Sequence, residues 1–140
     1  MRKEIDKFGR TDLHYAANEG RVNDVKRLLS SGANVNRADN NGWTPLHFAA
    51  QSNCVEVTSI LIAAGAELEK RDSNGNTPLF RAVFSSKGNG EVIAKLRDAG
   101  ADSYAKNDSE ISPVSLAYSI GNYDIKQFFS DLDVSDENAS

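Results

Sequence analysis

Cysteine is nearly absent: the lone Cys54 excludes an internal disulfide framework and fits a reducing compartment. No apolar run approaches the roughly 20 residues that cross a bilayer, so no membrane-spanning helix is expected. The first residues, Met1 to Lys7, carry positive charge but no apolar stretch follows them, and a secretory leader is not expected either. Cationic excess is also lacking. The chain of 140 residues holds 16 Lys and Arg against 20 Asp and Glu, a net charge of −4. Charge is balanced up to residue 129, and the surplus acids, Asp131, Asp133, Asp136 and Glu137, crowd the end. Nucleic-acid binding rests on clustered Lys and Arg that release counterions, so it is excluded as a first reading. What remains is enough for one packed domain, since 39% of the residues are hydrophobic. A cytoplasmic location is expected.

What is present is repetition. Asp6-Lys-Phe-Gly-Arg-Thr-Asp-Leu-His-Tyr-Ala-Ala returns 33 residues later as Asp39-Asn-Asn-Gly-Trp-Thr-Pro-Leu-His-Phe-Ala-Ala. A third copy begins another 33 residues on, Asp72-Ser-Asn-Gly-Asn-Thr-Pro-Leu-Phe-Arg-Ala-Val. A weaker fourth begins at Asn107, 35 residues further, as Asn-Asp-Ser-Glu-Ile-Ser-Pro-Val-Ser-Leu-Ala-Tyr. The second halves recur too, with Leu28-Leu29 before Gly32-Ala33, Leu61-Ile62 before Gly65-Ala66, and Leu96 before Gly100-Ala101. Each copy opens a helix well. Thr44 and Thr77 can cap exposed amides, and Pro45 and Pro78 suit the first turn. Leu46, Ala49 and Ala50 fall at helical spacing, with small alanines that let a neighbour approach. Gly20, Gly121 and Asn53 can end this helix in a left-handed conformation. A second amphipathic helix follows in each copy, as in Val22, Val25, Leu28 and Leu29, and Gly32, Gly65 and Gly100 stop it.

Period and signature together resemble the ankyrin repeat over about residues 6–130. The resemblance implies an all-α solenoid of four stacked helix–turn–helix repeats with projecting β-turn or hairpin tips. The expected divisions are a lead-in at 1–5, repeats at 6–38, 39–71, 72–106 and 107–130, and an acidic tail at 131–140 that frays. One such repeat cannot bury its apolar side alone, so the end copies must act as caps. The first carries Asp12 where proline stands elsewhere and a charged second helix. The fourth has Ser115 for histidine, with Tyr123, Ile125, Phe128 and Phe129 expected to pack inward. Two extra residues near Ser85–Gly90 are expected to form a flexible loop.

No catalytic, metal-binding or cofactor-binding constellation stands out. His14 and His47 fall in register, and the resemblance gives such histidines a structural role bonded to the turn backbone. They lack the mixed ligand set of a zinc site. Cys54 has no partner base nearby in sequence. Gly88-Asn89-Gly90 starts like a phosphate-binding fingerprint, but its third glycine is missing and no strand precedes it. No enzyme activity and no cofactor are expected.

In the resembled family, partners touch the tips and the exposed face of the first helix. Carried onto this chain, those positions include Phe8, Arg10, Asn41, Trp43, Gln51, Arg71, Asn76, Phe84, Ile111 and Ile120. Several are apolar where their counterparts are polar, the composition of an interface core. Two readings stay open: these residues bind a partner, or they pack on neighbouring turns and the cap. The expected function is non-enzymatic binding of a folded protein in a concave groove, by a chain that is a monomer when free. Its role would be a stoichiometric inhibitor or immunity-type protein. The alternatives are an adaptor subunit of a larger complex, or self-association through the same surface.

Overall fold

The computed structural model describes residues 5–120 and 123–132. The expectations for residues 1–4, Gly121, the Tyr123 side chain and the tail from 133 onward fall outside the described residues. Four helix pairs follow one another along the chain. They are α1 (Asp12–Asn18) with α2 (Val22–Ser30), α3 (Pro45–Gln51) with α4 (Val55–Ala63), and α5 (Pro78–Phe84) with α6 (Glu91–Asp98). The last is α7 (Pro113–Ser119) with the short α8 (Tyr123–Lys126), which tightens into a 3-10 turn at Gln127–Phe129. Helices α1, α3, α5 and α7 stack in one layer, and α2, α4 and α6 stack behind them.

The core is the repeat read across the layers. Leu13, Leu46, Leu79 and Val114 occupy one register position and are all buried, as are Ala16, Ala49, Ala82 and Ala117 at the next. Each buried leucine is worth about 2 kcal/mol against exposure. The alanines set how closely the inner helices approach. Thr58 is buried within α4 and donates its hydroxyl to the Cys54 carbonyl at 2.7 Å, so its polarity is satisfied.

Helix starts use the expected caps. Thr44 Oγ1 accepts from the His47 amide at 3.4 Å and Thr77 Oγ1 from the Phe80 amide at 3.3 Å. Gly20 and Asn53 take φ of 67° and 58° after the inner helices. His14 Nδ1 accepts from the Thr11 amide at 2.9 Å, which puts the ring proton on Nε2. That nitrogen donates to the carbonyls of Arg37 and Trp43 at 2.8 and 3.1 Å. His47 repeats the device, accepting from the Thr44 amide and donating to Asn76 O at 2.9 Å. Each histidine therefore stitches its own helix to the next repeat's tip. Burial pushes the pKa of both imidazoles down.

The fourth copy packs on the third through α7 and α5. Ile125 and Phe129 are fully buried. Phe128 lies so close over Gly90 that a Cβ there would sit 2.1 Å from its ring, which accounts for the glycine. The insertion near Ser85–Gly90 closes as a hydrogen-bonded turn, Asn89 N–H to Ser86 O at 2.9 Å, with Ser86 buried. Contacts with α6 also reach past residue 130. Arg97 donates to the Phe128 carbonyl and grips both Asp131 oxygens at 2.8 and 2.9 Å, while Leu132 is half-buried. Asp131 is thus tied to α6 of the third repeat.

Candidate interaction surface

Each tip is built on one side chain. The Oδ1 of Asp6, Asp39, Asp72 and Asn107 accepts the backbone N–H groups two and four residues on, at 2.9 to 3.0 Å. These are Asx turns, and they fix the direction of the side chains beyond them. Neighbouring tips are joined by backbone bonds, Asn40 N–H to Phe8 O at 2.9 Å, Ser73 N–H to Asn41 O at 2.9 Å and Asp108 N–H to Asn74 O at 3.1 Å, and Asn40 Nδ2 adds a bond to the Lys7 carbonyl at 3.1 Å. No strand forms among the described residues, so the tips are turns and not hairpins.

The second oxygen of each aspartate organises the inner face. Asp6 Oδ2 accepts from the Tyr15 hydroxyl, Asp39 Oδ2 from Arg10 Nε at 3.1 Å, and Asp72 Oδ2 from Arg81 Nη2 at 3.2 Å. The Tyr15 hydroxyl holds the Asp6 carboxyl below its usual range, helped by the amides of Arg10 and Phe8 and by the Arg10 charge. The Asp39 and Asp72 side chains are almost completely buried, at 1% and 0% exposure, while Arg10 and Arg81 reach the surface. Each guanidinium is thereby held in place.

Pinned arginines alternate with aromatic rings. Arg10 lies 4.9 Å from the Phe8 centroid and 5.3 Å from that of Phe48. Phe48 and Trp43 meet at 4.9 Å, inclined at 48°. Arg81 covers Trp43 at 4.6 Å and approaches Phe84 at 6.0 Å. The order along the face is Phe8, Arg10, Phe48, Trp43, Arg81, Phe84. Phe8 is 46% exposed and Phe84 61%, so the two ends of this ladder are open to a partner.

The expected binding residues differ in their surroundings. Trp43 is half-buried between His47, Phe48 and Arg81, and Phe48 lies between it and Arg10. Asn76 is 5% exposed, its carbonyl taken by His47 and its Oδ1 by Asn107 Nδ2 at 2.8 Å. Arg71 donates Nη1 to the carbonyls of Gly75 and Lys106 at 2.9 and 2.6 Å. Both residues hold the third tip to the fourth where Phe80 stands in place of histidine. Asn41 and Gln51 are exposed on the inner face, and Gln51 Oε1 accepts from the Ser85 hydroxyl at 2.9 Å. Ile111 and Ile120, 37% and 46% exposed, belong to the last repeat.

The missed members are Tyr15, Phe48 and Arg81. They share one register position, the variable residue after histidine in the signature, and that variability is the signal that could have found them. Among the described residues no three His, Cys, Asp or Glu side chains are placed to hold a metal. No helix there is long and apolar enough to cross a membrane.

A family model described as ankyrin repeats, in three copies, matches residues 13–107. The chain belongs to the ankyrin-repeat family. No curated protein matches the chain in a sequence search. Ankyrin repeats are generally protein–protein interaction modules, and the family is typically non-enzymatic. In this ankyrin protein the face where tips and inner helices meet is the one that carries the exposed aromatics.

Proposed function

We propose that this ankyrin protein is a non-enzymatic binder that holds a folded protein against the face formed by its tips and inner helices. The observation that carries this reading is the ladder from Phe8 to Phe84. It presents large exposed rings on a support already fixed by the buried Asp39 and Asp72. Side chains held in place before binding lose little freedom on binding, which favours affinity at modest area. A partner seated there has its own surface covered, so the finer reading is a stoichiometric inhibitor or immunity-type protein. In the same reading the free chain is a monomer working in the cytoplasm, where the half-buried Cys54 stays reduced.

The test is affinity capture from the native source with the wild type and with a Phe8→Ala/Phe84→Ala variant. Both rings are exposed, so the fold should survive their removal. Affinity for the captured partner is expected to fall by about 30-fold or more. Unchanged affinity overturns the reading. A partner that keeps its full activity when bound would make the chain an adaptor instead, and light scattering at the mass of a dimer would favour self-association.

A further inference from the structure

Between the first two repeats the ladder borders a depression of about 290 Å³, lined by Arg10, Asn18, Asn41, Trp43, Phe48 and Gln51. Two of these side chains are aromatic, and Arg10 and Gln51 among the polar ones offer donors. Gln51 Oε1 accepts from the Ser85 hydroxyl at 2.9 Å, and the one Ser52 hydroxyl proton is shared between the Asn18 carbonyl at 2.5 Å and Asn18 Oδ1 at 2.9 Å. Gln51 thus has its oxygen engaged and its NH₂ group in hand. Arg10 commits Nε to Asp39 and interacts with Tyr15, leaving further guanidinium N–H donors. The exposed Asn41 side chain makes no hydrogen bond among the described residues. Asp39 offers a partner no acceptor in return. Its buried carboxylate is filled by the amides of Asn41 and Trp43 and by Arg10.

We infer, on the reading that this face binds a protein, that the depression receives the carboxylate of an Asp or Glu side chain from the partner. An apolar neighbour of that side chain covers Trp43 and Phe48. An ionised carboxylate is acceptor-only, with about four lone-pair sites for the donors of Arg10, Gln51 and Asn41. Its charge-assisted bonds to Arg10 are the stronger kind. A lysine or arginine would face donors with donors. A serine or amide would bring donors of its own.

The test uses a phage-displayed library of small three-helix domains, randomised on one face and selected on the immobilised wild-type chain. Hydrogen exchange then sorts the selected domains by whether they protect α1, α3 and the 39–43 tip. Domains on that face are expected to be enriched in Asp or Glu. Asn41→Asp is expected to weaken them about 10-fold and Asn41→Lys to strengthen them about threefold, both effects shrinking at high salt. Asn41 does not have a positive φ, so both substitutions suit its backbone. Domains that occupy this face without acid enrichment, with Asn41→Asp and Asn41→Lys acting alike, overturn the carboxylate inference and leave the binding face standing. Selected domains that all bind elsewhere overturn both.

Discussion

Trp43→Ala is expected to destabilise the fold by ~2 kcal/mol, because the side chain is a rung of the ladder. Truncating a fully buried aromatic costs about 3–5 kcal/mol, and Trp43 is only half-buried, which scales the packing loss to roughly half. The pieces agree with that figure. The Phe48 ring at 4.9 Å contributes about 1 kcal/mol, and the Arg81 guanidinium at 4.6 Å about 0.5–1 kcal/mol. For a chain of 140 residues the entropy of unfolding near the midpoint is roughly 0.3 kcal/mol/K, so Tm should fall by about 7 °C. Chemical and thermal unfolding followed by circular dichroism measure this, since the variant lacks the single tryptophan that fluorescence would need. A cycle with Phe48→Leu should return a coupling of about 1 kcal/mol. A loss under about 0.5 kcal/mol with Tm unchanged and no coupling would refute the ladder as a physical stack, and Trp43 would be the free side chain that its polar counterparts suggest.

Gly42→Ala should cost about 2 kcal/mol or more, because φ is 79° there and the added Cβ would lie 2.8 Å from the Asp72 Cα; denaturation midpoints check it. The neutral, buried His14 and His47 have pKa values below 6.5, so the unfolded chain takes up protons first as pH falls. Their contribution is full above about pH 6.5 and is lost progressively below it, levelling off once pH is under the folded-state values. Unfolding free energy measured from pH 8 to 5 should show that decline, while Asp6 and Asp131, held below 3.8, act only at lower pH. Arg97→Ala should loosen the C-terminal cap by about 1 kcal/mol, much of it from the Phe128 carbonyl since Asp131 is exposed and screened. Hydrogen exchange at Phe128–Leu132 should accelerate accordingly.

The repeat, its caps and the structural histidines were legible because their causes are local. Thr and Pro at a helix start, and a histidine three residues after Thr11 or Thr44, act within one turn of chain. The ladder was legible in four of its six members, Phe8, Arg10, Trp43 and Phe84. Phe8 and Phe84 stand out against polar counterparts, whereas Phe48 and Arg81 occupy a position that varies in every copy. Their importance comes from stacking between repeats: Arg10 crosses to Asp39, and Arg81 covers the Trp43 of the preceding repeat. Arg71 and Asn76 read as free tip residues in the sequence. The replacement of histidine by Phe80 hands them the joint to the fourth repeat. The Arg97–Asp131 clamp spans 34 residues and leaves no periodic trace.

The central claim is that the ladder face, and not the outer helices, is where a protein partner sits. Hydrogen exchange of the chain alone and with its captured partner tests it most directly. The account predicts protection gained at Phe8–Arg10, Asn41–Phe48 and Arg81–Phe84, with α2, α4 and α6 unchanged. Protection confined to α2, α4 and α6, with the ladder residues exchanging as in the free chain, would contradict it.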